Sequence, residues 1–263
     1  MSDIIYLKND LNEIQISSFG GQVLSWKTLL NDVWVDILYI GSSSKRSGIP
    51  ILFPFANPLK DDIFEHTGVN IPQHGFARNS EWSIIENTNN KAILKLSFEN
   101  LDQYLKTAFP FLFDLSLEIQ LNLDNSIDYT LNLNNLGEKN LPIAPGIHPY
   151  FSIGHTDKTN LKINEIPGFK AIDFPWDSEL SGDFYDFKGE VNINFPDYVL
   201  NISEIGSNPD CKYIVVWSQN ESQTDHDFVC FEPFYRETNA INTNPILVKP
   251  NETWVSKFRF SVR

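Results

Sequence analysis

Cysteine is scarce, with only Cys211 and Cys230 in 263 residues and neither a CxxC pair nor a metal-type spacing between them. A chain of this length can bury a core without disulfides, so both read as free thiols, Cys230 inside a buried apolar strand. Basic residues are also few. Lys and Arg number 20 against 34 Asp and Glu, and the formal net charge of -14 argues against non-specific binding to nucleic acid or an anionic membrane, which reward basic surface. No apolar run is long enough to span a bilayer, and the N-terminal residues lack a basic region leading into an apolar stretch and a cleavage site. A cytoplasmic location is therefore expected. A glycine-rich phosphate loop, a dinucleotide fingerprint, a GxSxG elbow and an HExxH helix are absent too, and no two of His66, His74, His148, His155 and His226 have a convincing ligand-pair spacing.

What the chain does have is enough apolar residue to build a core: 41% hydrophobic, 13% aromatic. Large all-β units reach this length as one domain, and no linker, repeat or composition shift divides the chain, so a single domain over residues 1–263 is expected. Alternation dominates. Leu115, Leu117, Ile119, Leu121 and Leu123 face one way, and Ser116, Glu118, Gln120 and Asn122 the other. Asp124-Asn125-Ser126 then supplies turn chemistry, and Ile127, Tyr129, Leu131 and Leu133 alternate again, which predicts an antiparallel hairpin. The pattern returns at Ala92 to Phe98, at Val191, Ile193 and Phe195, and at Trp254 to Val262. Only residues 102–109 suit a helix, a short one. Many strands without regular strand-helix alternation predict an all-β sandwich of large antiparallel sheets. Two long segments, 41–80 and 167–187, are rich in Pro, Gly and aromatic residues and read as ordered loops that could wall a binding site.

Three motifs carry possible chemistry. In Ala144-Pro145-Gly146-Ile147-His148-Pro149-Tyr150-Phe151, Gly and two prolines break any regular element around one histidine, a setting that fits a core histidine as well as a catalytic one. In Pro72-Gln73-His74-Gly75-Phe76-Ala77-Arg78, donors flank a glycine beside aromatics, as a sugar site requires, although Arg78 could equally make a surface ion pair. Trp82, a little further on, reads as core. In Phe228-Val229-Cys230-Phe231-Glu232-Pro233, a carboxylate ends an apolar strand before a proline, which suggests a sheet rim. Burial there would raise its pKa towards that of a base working near neutrality, whereas pairing with Arg236 would make it structural. His155 and His226 lie in polar stretches and are expected to be exposed.

Together with Ile51-Leu52-Phe53-Pro54-Phe55-Ala56-Asn57, these motifs resemble the aldose 1-epimerase (galactose mutarotase-like) family in order and approximate spacing. The resemblance covers essentially the whole chain. It implies a β-supersandwich and interconversion of the α and β anomers of an aldose without metal or organic cofactor. It also implies His148 as the acid at the ring oxygen and Glu232 as the base at the anomeric hydroxyl. A His148 whose ring does not face Glu232 across a sugar-sized gap cannot be this acid. His74, Arg78, Gln73 and Asn57 are implied to contact a small-molecule sugar, and Asp197 to correspond to the family's hydroxyl-binding aspartate.

One departure stands out. Asn57 is followed by Pro58 where many sugar mutarotases of the family carry an arginine, and Arg46, Arg78 or Lys60 could replace that cation. Arg46 before Ser47-Gly48-Ile49-Pro50 resembles the hexose-6-phosphate 1-epimerase branch, in which basic residues meet a phosphate. A neutral aldose is the expected substrate and a hexose 6-phosphate the alternative. Two other readings stay open: a non-catalytic sugar-binding or regulatory protein on the same fold, and a glycoside-processing enzyme pairing Glu232 with Asp197 or Asp183.

Overall fold

The structure is a computed structural model, which describes residues 2–43, 46–178, 182–207 and 210–263. Positions 44–45 and 179–181 of the two long loops lie outside the described residues.

The predicted hairpin forms the middle of an eight-stranded antiparallel sheet. Phe113–Leu121 pairs with Ser126–Asn135 in the register Leu115↔Leu133, Leu117↔Leu131, Ile119↔Tyr129, so the apolar sets share one buried face. The strand ends at Leu121, and Leu123, expected on that face, is 95% exposed in the turn. Outward from the hairpin on one side lie Lys91–Ser97 and Ser83–Asn87. On the other lie Thr253–Val262, Val199–Glu204, Glu190–Asn194 and Lys162–Ile163. The helix expected over 102–109 is Gln103–Ala108, with the Asp102 side chain accepting the Leu105 N–H as its cap.

A second sheet packs on this one. It runs Gly182–Asp186, Tyr213–Trp217, Phe228–Phe234, Gly146–Ile147, Ile51–Leu52, with Tyr150–Ser152 also paired to Phe228–Phe234. Phe151 of this sheet meets Phe260 of the other at 6.3 Å between ring centroids. Such contacts across the interior make the molecule a β-sandwich. A four-stranded sheet, Ile4–Lys8, Asn12–Ser17, Gln22–Leu30 and Val33–Asp36, adds Trp26 and Val23 to the same core. Among the described residues no helix is long and apolar enough to cross a membrane.

The ladder beside Phe228–Phe234 is broken where the first motif lies. Gly146 pairs with Phe234 and Tyr150 with Cys230, but residues 147–149 have left the ladder in between. Glu232 is thus in an interior strand, opposite Val215, and not at a sheet rim as the following proline suggested. Pro233 pairs with Ile214 on one side, and its missing N–H falls on the other, where residues 147–149 have left the ladder, so it is tolerated there.

Candidate active site

The break in the ladder is the floor of a cleft. His148 N–H donates to Pro50 O at 3.0 Å and Tyr150 N–H to Gly48 O at 2.8 Å, so the irregular segment is held to the first long loop rather than to the sheet. Gly146 permits this approach, since a Cβ there would sit 2.6 Å from the Phe234 ring. The His148 and Tyr150 rings stack in parallel, 4.6 Å between centroids, and Trp217 meets His148 edge-on at 5.6 Å. His148 Nδ1 has no hydrogen-bond partner, so packing alone aims Nε2. Nε2 lies 3.4 Å from Glu232 Oε1.

That separation does not meet the sugar-sized gap required of the acid, and the requirement itself is too strict. The two groups touch, and a sugar could meet both only by lying over them with the ring oxygen and the anomeric oxygen downward. These two atoms are bonded to one carbon, so neighbouring groups suffice to reach them. Both side chains are almost fully enclosed, 6% exposed at His148 and 3% at Glu232. Burial pushes the Glu232 carboxyl well above the usual carboxylate range, against the opposing pull of Arg78 and Arg46. It pushes His148 well below the usual histidine range, reinforced by His74, Arg78 and Arg46. Burial thus favours the neutral form of each, imidazole and carboxyl, over the charged pair.

The walls come from the two long loops. Ser43, Arg46, Asn57, Gln73, His74 and Arg78 line a cleft of about 510 Å³ with Gly182, Phe184, Val215 and Trp217. His74 and Asn57 both have positive φ, 68° and 66°, and tie the loop to itself. His74 N–H donates to Asn57 O at 3.2 Å, and Asn57 N–H donates to His74 Nδ1 at 2.9 Å. The ring hydrogen of His74 is left on Nε2, 3.2 Å from Gln73 Nε2, so the Gln73 amide must turn its oxygen to this position to accept it. Burial, with Arg78 and Arg46 nearby, lowers the His74 pKa to about 3. This histidine is a neutral donor at working pH.

Arg46 rests on the Trp217 ring at 4.9 Å, with Nη1 3.4 Å from Tyr150 Oη. Its loop is anchored by Asp225, which accepts from Ser42 N–H, Ser42 Oγ and Tyr39 Oη. Arg78 Nη2 donates to Gln73 O at 3.2 Å. Burial weighs against its charge, yet a guanidinium stays protonated. Among the described residues neither arginine has a carboxylate within ion-pair distance, so the surface ion pair considered for Arg78 does not form.

Most of the expected site residues converge: His148, Glu232, His74, Arg78, Asn57, Gln73 and Arg46. Asp197 does not. It is exposed in the turn between Glu190–Asn194 and Val199–Glu204 of the other sheet, because Phe195 and Tyr198 fold inward around it and stack at 4.8 Å. Pro58 and Lys60 are exposed and do not line the cleft, and Asp183 is exposed with its carboxylate taken by Tyr185 Oη. Arg236 pairs with Asp210 at 2.9 Å rather than with Glu232. Trp82 is core, as expected, its Nε1 donating to Ala77 O. His155 and His226 are half-buried, contrary to expectation, because Lys158 beneath them is fully buried and donates to His155 Nδ1 and His226 O. Sequence reasoning missed Trp217, Phe184 and Tyr150. Trp217 lies across the ladder from Cys230, two residues from Glu232, a pairing that no sequence signal announced.

Comparison with known proteins points the same way. A family model described as aldose 1-epimerase matches residues 3–192. A protein of Cenchrus ciliaris described as "Putative glucose-6-phosphate 1-epimerase" is 25% identical, over 94% of this chain and 80% of its own length. Two bacterial proteins of that description align over only 54% and 51% of their own length. Among solved structures, a protein of Synechocystis sp. PCC 6803 superposes with a TM-score of 0.82 at 26% identity, covering 100% of this chain and 96% of that one. A galactose mutarotase related enzyme of Lactobacillus acidophilus gives 0.79 at 19% identity, covering 100% and 97%.

Proposed function

The chain belongs to the aldose 1-epimerase family, and from that premise we propose that it interconverts the anomers of a hexose 6-phosphate through His148 and Glu232. The observation that carries the substrate class is the pair of guanidinium groups, Arg46 and Arg78, open to the cleft without carboxylate partners among the described residues. Two half-buried cations left without a carboxylate in a protein of net charge -14 favour an anionic ligand, and a phosphate would use their free donors. This shifts the expectation from a neutral aldose to its phosphorylated form.

The pair has the groups the reaction needs. Ring opening adds a proton to the ring oxygen and removes one from the anomeric hydroxyl, and the single proton held between Glu232 and His148 supports both. The open-chain aldehyde turns about its bond to the next carbon, and closure with the two roles exchanged gives the other anomer. With the neutral forms favoured, opening takes the ring-oxygen proton from Glu232 and gives the anomeric proton to His148, the reverse of the roles implied by the resemblance, and closure returns both. Trp217 and Phe184 offer rings to the apolar face of the sugar. Glu232 is the sole carboxylate among the described lining residues, which removes the support for a two-carboxylate glycosidase.

Exchange NMR on equilibrium mixtures of glucose, galactose and glucose 6-phosphate tests this reading. Faster α/β exchange is expected with each, the 6-phosphate showing the largest kcat/KM. Saturable binding with no faster exchange for any of them would instead mean a non-catalytic sugar-binding protein.

A further inference from the structure

Directly behind the acid/base pair lies a group that the epimerase reading leaves idle. Cys230 precedes Glu232 by two residues on the same strand, so both side chains project from the same face. Its Sγ, a His148 ring nitrogen and a Glu232 carboxylate oxygen all lie within 4.8 Å of one another, and all three residues are buried. Sulfur, imidazole and carboxylate are the ligand set that a zinc-class cation prefers. At bond lengths of about 2.0–2.3 Å, tetrahedral ligand atoms stand roughly 3.4–3.8 Å apart. His148 Nε2 and Glu232 Oε1 already do, at 3.4 Å, and the sulfur needs a shift of about an ångström to join them.

His148 Nδ1 is buried without a partner, so no internal hydrogen bond fixes the tautomer and Nε2 can present its lone pair, but the ring lacks the hydrogen-bonded support that a metal-bound histidine usually has, which weakens the site. The other triad of this kind, His155, Asp177 and Glu221, is closed to a cation. Lys158 Nζ occupies His155 Nδ1 at 2.9 Å, which puts the ring hydrogen on Nε2, facing Asp177 at 3.0 Å.

We infer that His148, Cys230 and Glu232 form a three-ligand site for a soft or borderline divalent cation of the zinc class, entered through the cleft and exclusive of the sugar. Binding forms one metal–sulfur, one metal–nitrogen and one metal–oxygen bond. The thiol proton and the proton shared by His148 and Glu232 leave to solvent. The fourth position stays open to water. His74 and Arg78 from the 72–79 loop, Arg46 from the first loop, and Tyr150 beside His148 face the same space, and the two guanidinium charges oppose the cation. The cation therefore binds more weakly than in a purpose-built structural site, and more tightly as pH rises and the two protons are released.

The inhibition follows only if the pair is catalytic as proposed, but occupancy can be read without activity. Cadmium titrated into the protein in chelator-free buffer is expected to give a thiolate-to-metal absorption band that saturates at one ion per chain. Cys230→Ser should abolish the band, Cys211→Ser should keep it, and Glu232→Gln should weaken binding about tenfold or more. If Cys230→Ser does not fold, judged by near-ultraviolet circular dichroism, the Glu232→Gln and Cys211→Ser arms decide. Zinc should abolish anomer exchange in parallel with occupancy, and EDTA should restore it. A missing band, or one unchanged by Cys230→Ser or Glu232→Gln, would overturn the site. A band without inhibition of an active enzyme would overturn the competition with sugar. A band in a protein inactive towards every aldose would leave the site standing and sink the epimerase reading instead.

Discussion

At the scale of single residues, the site is a problem of protons kept in a dry place. Burial disfavours charge on both His148 and Glu232, which widens the pH range over which the pair carries one proton. The pH–rate profile should be a broad bell, its acid limb set by protonating His148 and its alkaline limb by ionising Glu232. Glu232→Gln keeps the shape of the side chain but cannot exchange the proton, so kcat should fall by roughly 10²-fold or more while the fold persists; activity within a few-fold of the original would remove Glu232 from the chemistry. His74 governs acid stability. Its pKa falls from the ordinary 6.5 to about 3, so its neutral form contributes stability fully present above pH 6.5 and lost as pH falls towards 3. Between pH 7 and 4.5, urea unfolding should show about 2–3 kcal/mol less acid loss in His74→Asn, a residue that also tolerates the positive φ, than in the original chain. The residue identities of the site were readable because glycine, proline and aromatics marked the segments that carry them. Asp197 misled because a short motif reports a turn but not which sheet owns it.

At the scale of elements, strands that alternate were legible and segments that do not were legible only as loops. The hairpin register followed from two apolar sets that must share one face, since a one-residue slip would turn every leucine to water. The course of residues 51–79 depends instead on contacts between distant backbone groups. Phe53 O accepts from Phe76 N–H at 2.9 Å and Ala77 N–H at 3.2 Å, and Ala144 N–H donates to Pro54 O at 2.8 Å. No periodicity encodes such pairings. Gly75 sits at their centre, with φ of 71° and its missing Cβ 2.1 Å from Phe53 O. Gly75→Ala should cost at least about 3 kcal/mol, because backbone rather than a flexible side chain must yield. Differential scanning calorimetry checks this, and an unchanged Tm would mean that the loop is looser than drawn.

At the scale of the whole molecule, residues beyond 192 supply interior strands of both large sheets although the family model ends there. Thr253–Val262 lies between Val199–Glu204 and Ser126–Asn135, well inside the large sheet, and Phe228–Phe234 brings Glu232 to the smaller one. A fragment of residues 3–192 should therefore be unfolded or aggregated by circular dichroism and light scattering, with unpaired edges where the central strands belong. An independently folded fragment would contradict the single unit expected from composition.

The two guanidinium groups line a cleft in a molecule whose formal net charge is -14, and if the substrate is phosphorylated as proposed, this governs how it arrives as well as how it is held. At long range the field turns a dianion away; only near the cleft do Arg46 and Arg78 outweigh it. Raising ionic strength from about 0.01 to 0.1 M shortens the screening length from about 30 to 10 Å. This removes the distant repulsion before it weakens the close attraction. Encounter with glucose 6-phosphate should quicken with added salt over that range, the reverse of ordinary electrostatic steering, while kcat/KM for neutral glucose stays flat.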